Sequence, residues 1–140
     1  MRFYVATGLE NATAAIVLSS LLVSKGWTNT YEWMKHGAVW MHGAARTAEV
    51  SMLELEGVAS AKVVIALLPG GRGTHVELGS ALGRAHRGAL EGRLHDPRII
   101  VHGNHEQLAF GQNICAFYMS PYVERMVSSD SRDVADLLLG

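Results

Sequence analysis

The stretch VVIALLPGGRGTHVELG, residues 63–79, decides the fold of this chain. It opens with an unbroken apolar run over residues 63–68, which is typical of a central strand in a parallel sheet that is covered on both faces. A glycine-rich loop follows over residues 69–73, and the pattern from Thr74 to about Arg87 predicts a helix. A buried strand followed by a loop and a helix is the repeating unit of α/β proteins, so this stretch predicts that fold class.

The same alternation continues on both sides of this stretch. Further strands are predicted at residues 2–6, 27–33, 98–102 and 123–127, and further helices at residues 11–25, 47–59 and 130–139. Strands that alternate with helices imply right-handed crossovers and a parallel sheet with helices on both faces. We therefore expect one domain over residues 1–140, a flavodoxin-like three-layer α/β sandwich with a five-stranded parallel sheet.

Local signals refine this outline. Asn11 is a residue type that caps helices with its side chain, and it precedes the first predicted helix. Residues 35–46 and 103–121 have no clean period and are predicted to be loops. The helix over residues 47–59 is expected to gather three apolar residues on one face: Met52, Leu55 and Ala59.

Composition excludes several classes of protein. The 140 residues carry 12 Lys and Arg against 13 Asp and Glu, a net charge of −1, whereas proteins that bind a nucleic-acid backbone carry a basic excess. No apolar run approaches the roughly 18–20 residues that span a bilayer. The one cysteine, Cys115, rules out an internal disulfide framework. We expect a cytoplasmic protein that binds neither a nucleic-acid polymer nor a membrane and that holds no metal.

The glycine-rich loop is the first candidate binding site. Parallel sheets bind ligands at the carboxyl ends of their strands, where this loop is predicted to lie. Glycines let the backbone approach a ligand closely, and a helix N-terminus attracts anions such as phosphate. A Walker loop needs a Gly-Lys-Ser/Thr sequence that is missing here, which argues against a kinase or an NTPase. The candidate substrate-binding residues in this loop are Gly70, Gly71, Arg72, Gly73 and Thr74.

Glu77, just after this loop, allows two interpretations. Thr74 and Glu77 have the spacing of a capping box, in which the glutamate satisfies a backbone donor at the helix start. A carboxylate beside an anion seat can instead attack the anomeric carbon of a ribose and form a covalent glycosyl intermediate. The helix N-terminus is then expected to keep the carboxylate ionised, as a nucleophile requires.

Two segments resemble the nucleoside 2-deoxyribosyltransferase family: FYVAT at residues 3–7 and GTHVELG at residues 73–79. The order of the predicted elements is similar over essentially the whole chain. The resemblance implies that Glu77 is the nucleophile, that the Tyr4 hydroxyl orients it, and that Glu54 handles the proton of the base in place of the family's Asp. A second Asp of that family corresponds to Gly71 here.

The resemblance also implies how the molecule assembles. Members of the family need no cofactor and form homodimers or higher homo-oligomers with shared sites. Ser120 lies where relatives complete the neighbouring subunit's site with a polar residue. We therefore expect a homo-oligomer to which Ser120 contributes a substrate contact.

A second resemblance covers the nine residues PGGRGTHVE, 69–77. They match the Pro-Gly-Gly-x-Gly-Thr-x-x-Glu motif of LOG-type nucleoside monophosphate phosphoribohydrolases. The match implies that the glycine loop holds a 5′-phosphate and that Glu77 serves the anomeric centre. Both resemblances imply cleavage of an N-glycosidic bond.

Several other side chains are candidates for substrate contacts. Trp33 and Trp40 could stack on a nucleobase or pack in the core. Asn11 could contact the sugar as well as cap its helix, and His36 and His42 flank a loop from which a proton could be transferred.

The expected ligand is a small-molecule nucleoside or nucleotide, and the expected function is cleavage or transfer at its N-glycosidic bond. Two alternatives stay open. The chain could be a non-catalytic nucleotide-binding module in which Glu77 serves only as a cap, or an NAD-cleaving glycohydrolase. The preference for base and sugar, the need for a 5′-phosphate, and the choice between water and a second base as acceptor also stay open.

Overall fold

A computed structural model describes all residues, 1–140, and contains one five-stranded sheet in which every strand pairing is parallel. Its strands are β1 (Arg2–Ala6), β2 (Thr28–Asn29), β3 (Val63–Leu67), β4 (Arg98–Gly103) and β5 (Val123–Val127). They lie in the order β2-β1-β3-β4-β5, which is the flavodoxin-like order. The predicted fold class is confirmed.

Five α-helices cover the two faces of the sheet. They are α1 (Ala12–Ser24), α2 (Ala44–Ser60), α3 (Arg72–Leu90), α4 (His105–Leu108) and α5 (Asp133–Leu139). The helix α1 packs against α5, and α2 packs against α3, so these pairs form the two outer layers. None of the helices combines the length and the apolar character that crossing a membrane would require.

The central strands β1 and β3 end side by side at the carboxyl edge of the sheet. All five residues of β3 are buried, as the apolar run predicts. Ala6 at the end of β1 pairs in register with Ala66 of β3, so the segments that follow these two strands emerge side by side. The hydroxyl of Thr7 joins them by donating to the carbonyl of Leu67 at 2.7 Å.

The second strand is shorter than predicted because a side chain takes over one of its backbone contacts. Residues 27–33 were expected to be extended, but only Thr28–Asn29 pair with β1, and a 3₁₀ helix, Trp33–Lys35, follows. The indole N–H of Trp33 donates to the carbonyl of Val5 at 2.6 Å. The carbonyl of Val5 therefore has a hydrogen-bond partner although β2 does not extend far enough to provide one.

The helix α2 also differs from its prediction. It begins at Ala44 rather than at residue 47. The expected loop at residues 35–46 is therefore shorter than predicted, and it contains a 3₁₀ helix, Val39–His42. The three residues of the predicted buried face, Met52, Leu55 and Ala59, are exposed. The face that packs on the sheet instead uses Gly57, where an added Cβ would lie 2.9 Å from the Cβ of Tyr31 and 3.1 Å from the ring of Tyr4. Close approach of the backbone therefore decides which face is buried.

Smaller differences concern the ends of elements. The predicted irregular segment 103–121 contains α4 and a 3₁₀ helix, Ala116–Met119. The last helix begins at Asp133 rather than at residue 130, and α3 begins at Arg72 rather than at Thr74.

Candidate active site

A cavity of about 590 Å³ opens at the carboxyl ends of β1 and β3, and we call it the strand-end cavity. Four segments line it: residues 7–10 after β1, residues in the stretch 33–40, two residues of α2, and residues 71–74 and 77 at the start of α3. The sheet thus brings together side chains that are far apart in sequence. This is the edge at which parallel α/β sheets bind ligands.

Glu77 lies in the wall of this cavity, on the second turn of α3, and is 8% exposed. Its carboxyl group accepts a hydrogen bond from the hydroxyl of Tyr4, which rises from β1 and is fully buried. Burial and the neighbouring carboxyl of Glu77 raise the pKa of Tyr4, so the phenol keeps its proton and acts as the donor. The pair therefore holds one carboxylate oxygen in a fixed position.

The capping-box interpretation of Glu77 is wrong. The helix begins earlier than that interpretation requires, with Gly71 as its N-cap residue. Thr74 lies on the first turn, and its hydroxyl accepts the N–H of Gly71 at 3.1 Å. The carboxyl group of Glu77 does not cap the helix; it accepts the hydroxyl of Tyr4 and lines the cavity.

The expectation that the helix N-terminus keeps Glu77 ionised is also wrong. Burial raises the pKa of Glu77 to about 8, the Tyr4 hydrogen bond opposes this rise, and the charge of Glu54 adds to it. Removal from water disfavours the charged form more strongly than one hydroxyl favours it. Glu77 therefore titrates near neutral pH.

Glu54 reaches the same cavity from α2. Burial raises the pKa of this carboxyl, and the nearby ring of His36 lowers it in part. A raised pKa makes a carboxyl group a better proton donor to a leaving group than an exposed carboxyl group is. The cavity thus contains two carboxyl groups with raised pKa values, one of which is fixed by a phenol.

The glycine-rich loop supplies the part of the cavity wall that adjoins Glu77. Gly71, Arg72, Gly73 and Thr74 line the strand-end cavity, whereas Gly70 lines shallower hollows on the outer side of the loop. The N–H groups of the first helical turn have no partner within their helix, and Arg72 is exposed. This wall therefore presents N–H donors and a guanidinium to an anion.

Asn11 does not line the strand-end cavity and does not cap its helix with its side chain. Its amide instead donates to the hydroxyl of Thr7 at 3.1 Å. Thr7 does line the cavity, and sequence reasoning missed it. The available signal was its place directly after β1, at the edge where ligands bind.

The two tryptophan candidates differ in how much of their surface is exposed. Trp33 is 5% exposed and belongs to the core, although it also forms part of the cavity wall. Trp40 lines the cavity with 72% of its surface exposed, so its face is open to a ligand. His36 lines the cavity, whereas His42 is exposed outside it.

Ser120 lies in a different part of the molecule. It lines an apolar groove between α3 and residues 115–122, which we call the α3 groove. Its hydroxyl accepts the N–H of Tyr122 at 3.2 Å. Ser120 therefore does not reach the strand-end cavity of its own chain.

Comparison with solved structures identifies a similar fold in the CMP N-glycosidase BcmB from Clostridium botulinum. The TM-score is 0.61 at 18% sequence identity, and the match covers 99% of this chain and 97% of that one. At this identity the likeness concerns the fold, and it agrees with the three-layer α/β architecture. No protein-family model and no curated protein matches the chain, so membership of the deoxyribosyltransferase family stays a prediction.

Proposed function

We propose that this protein cleaves the N-glycosidic bond of a nucleoside 5′-monophosphate, with Glu77 as the nucleophile. The observation that carries the proposal is the placement of the Glu77 carboxyl group. It is held by the Tyr4 hydroxyl in the wall of a cavity whose neighbouring wall is the glycine loop at the N-terminus of α3. A nucleotide needs both features, one at its anomeric carbon and one at its phosphate.

The spacing along α3 supports a phosphorylated substrate. Thr74 and Glu77 are separated by three residues, which is about 4.5 Å along a helix axis. A 5′-phosphate on the N–H groups of the first turn would leave the sugar beside the second turn, where Glu77 lies. The name of the structural neighbour, a CMP N-glycosidase, agrees with a substrate of this class.

The reaction proceeds in two steps. An oxygen of the Glu77 carboxylate forms a bond to C1′ while the C1′–N bond breaks and its electron pair leaves with the base. Glu54 gives its proton to that base. Water then attacks C1′ of the glycosyl ester, Glu54 takes a proton from this water, and the sugar phosphate is released with the Glu77 carboxylate restored.

Incubation with a panel of ribo- and deoxyribonucleoside 5′-monophosphates, the matching nucleosides and NAD tests the proposal, with free base detected by chromatography. We expect base release from a monophosphate and a fall of roughly 10³-fold or more in the rate for Glu77→Gln. Release of nicotinamide alone would favour the NAD-cleaving alternative. Binding without release, unchanged in Glu77→Gln, would favour the non-catalytic module.

A second base in the reaction mixture separates transfer from hydrolysis. A transferase yields a new nucleotide from the added base, whereas a hydrolase yields the sugar phosphate. We expect the sugar phosphate, because Gly71 stands at the position of the second Asp of the deoxyribosyltransferases, and the loss of that carboxylate argues against recognition of a second base.

A further inference from the structure

His75 lies on the outer side of the glycine loop and does not line the strand-end cavity. Its Nδ1 is 2.7 Å from the carbonyl oxygen of Gly71, and its Nε2 is 2.6 Å from the hydroxyl of Tyr118. A carbonyl oxygen only accepts hydrogen bonds, so Nδ1 carries a proton, and in the neutral ring Nε2 accepts the hydroxyl proton of Tyr118. The imidazole therefore links the loop to Tyr118, the one buried residue of the 3₁₀ helix Ala116–Met119.

This link acts on the orientation of the Gly71 carbonyl. The carbonyl of Gly71 accepts the Nδ1–H of His75 and also the backbone N–H of His75, at 3.3 Å. Its N–H is occupied by Thr74, at 3.1 Å. An anion seat at a helix start needs N–H groups directed toward the ligand and carbonyl oxygens directed away from it. The bonds to His75 hold the Gly71 carbonyl along the helix, away from that seat.

The anchor at the far end of the link belongs to the hydrophobic core. Tyr118 is buried, and its ring stacks on that of His75 with 5.8 Å between centroids and 28° between planes. Tyr118 belongs to a segment that contributes nothing to the strand-end cavity. A change in its hydroxyl can therefore reach the cavity only through His75 and the loop.

We propose that His75 and Tyr118 are positioning residues that hold the glycine loop in the conformation that binds the 5′-phosphate of the substrate. The inference rests on the proposed function and adds to it a pair of residues that touch neither the sugar nor the base. Their effect is confined to the phosphate end of the site. Loss of the link therefore weakens binding of phosphorylated ligands and leaves the chemical step intact.

The same helix offers a matched control. His86 lies eleven residues further along α3, about three turns, and so on the same face. Its Nδ1 is 2.7 Å from the hydroxyl of Tyr122, with 5.7 Å between the ring centroids. His75, His86 and Tyr122 all line the α3 groove, but the hydrogen bond between His86 and Tyr122 does not involve the glycine loop. Tyr122→Phe removes the same kind of hydrogen bond without touching the phosphate seat.

The test compares the wild type, His75→Asn, Tyr118→Phe, the double variant and Tyr122→Phe. The readouts are kcat and KM for the nucleoside 5′-monophosphate that the wild type cleaves best, kcat/KM for its nucleoside, and inhibition by ribose 5-phosphate. Because one hydrogen bond is lost, we expect KM for the monophosphate and the inhibition constant of ribose 5-phosphate to rise by about tenfold in Tyr118→Phe. We expect kcat and the nucleoside kcat/KM to change by less than about twofold. The double variant should match the single variants, and Tyr122→Phe should match the wild type.

Other results would overturn the inference. Equal losses for the monophosphate and the nucleoside, or the same loss in Tyr122→Phe, would mean a general effect on the fold. A loss in His75→Asn that is absent in Tyr118→Phe would mean that His75 acts alone. A wild type that releases no base from any monophosphate would overturn the proposed function and this inference with it. Variants that bind the monophosphate and ribose 5-phosphate as tightly as an active wild type does would overturn only this inference.

Discussion

At the scale of single residues, two groups push the pKa of Glu77 in opposite directions. The Tyr4 hydroxyl donates to the carboxylate and lowers its pKa, while the charge of Glu54 raises it. The nucleophile must be ionised, so kcat/KM should rise with pH along an acidic limb near pH 8. The pH at which activity rises therefore measures the effect of Tyr4 and of Glu54 on the pKa of Glu77.

Tyr4→Phe removes the hydrogen bond that favours the carboxylate and leaves the apolar surroundings in place. We expect the acidic limb of kcat/KM to move to higher pH, since the ionised form loses its donor. A pH–rate profile of base release measures the shift. An unchanged limb would mean that the hydroxyl does not act on the group that titrates.

Glu54→Gln should move the same limb in the opposite direction. The ionised form of Glu54 raises the pKa of Glu77, and without it the Glu77 carboxylate forms at lower pH. The maximal rate should fall by about 10²-fold or more for natural bases, because the protonated form of Glu54 is the proton donor and is lost. A limb that moves to higher pH in this variant would contradict the arrangement of the two carboxyl groups.

The raised pKa of Glu77 also has a consequence for stability. Between its ordinary value of about 4.5 and its folded value of about 8, the folded chain binds more protons than the unfolded chain. This contribution is therefore present below about pH 4.5 and is lost as the pH rises through 8. Glu77→Gln should be more stable relative to the wild type at pH 8.5 than at pH 5.5, as measured by urea unfolding. The same difference at both values would show that the pKa is not raised.

At the scale of elements, sequence patterns predicted what depends on local apolar character. The run at residues 63–68 and the strand at residues 2–6 correspond to β3 and β1. The patterns failed where tertiary contacts decide the outcome. The indole N–H of Trp33 donates to the carbonyl of Val5, and the pairing of β2 with β1 ends before this point. Strand propensities describe single residues and do not predict such a contact.

The packing of α2 on β1 through Gly57 gives a prediction at this scale. In Gly57→Ala the new Cβ meets Tyr31 at 2.9 Å and the Tyr4 ring at 3.1 Å. We expect a loss of about 1–3 kcal/mol in the free energy of unfolding and a lower rate of base release, since Tyr4 is displaced from Glu77.

The control for this experiment is Gly83→Ala in α3, where an added Cβ has nothing within 4 Å. That variant should gain about 0.5–1 kcal/mol, because alanine favours a helix interior over glycine. Both values follow from urea unfolding curves. Equal effects at the two positions would contradict close packing at Gly57.

At the scale of the whole molecule, the strand-end cavity joins segments that are distant in sequence. Glu77 and the loop at residues 71–74 are adjacent in the chain, so one motif identified them together. Thr7 and the residues 37–39 were missed, because only the sheet order and the turn after Trp33 bring them to the cavity. Local spacing therefore predicted the part of the cavity wall that the loop and α3 supply, and little of the part that follows β1 and Trp33.

Ser120 gives a prediction about assembly. It lies in the α3 groove and does not reach the strand-end cavity of its own chain, so any substrate contact it makes belongs to another copy. We expect a homo-oligomer by light scattering and a higher KM for the monophosphate in Ser120→Ala. A monomer that keeps full activity would contradict this expectation.

The central claim is that the carboxylate of Glu77 forms a covalent bond to C1′. The most direct measurement is intact-protein mass spectrometry after incubation with a 2′-fluoro-2′-deoxy nucleoside 5′-monophosphate, because the fluorine slows the breakdown of a glycosyl ester. The account predicts a mass increase equal to the fluorinated sugar phosphate, located by peptide mapping on Glu77 and absent in Glu77→Gln. Base release without any adduct, or an adduct on another residue, would contradict it.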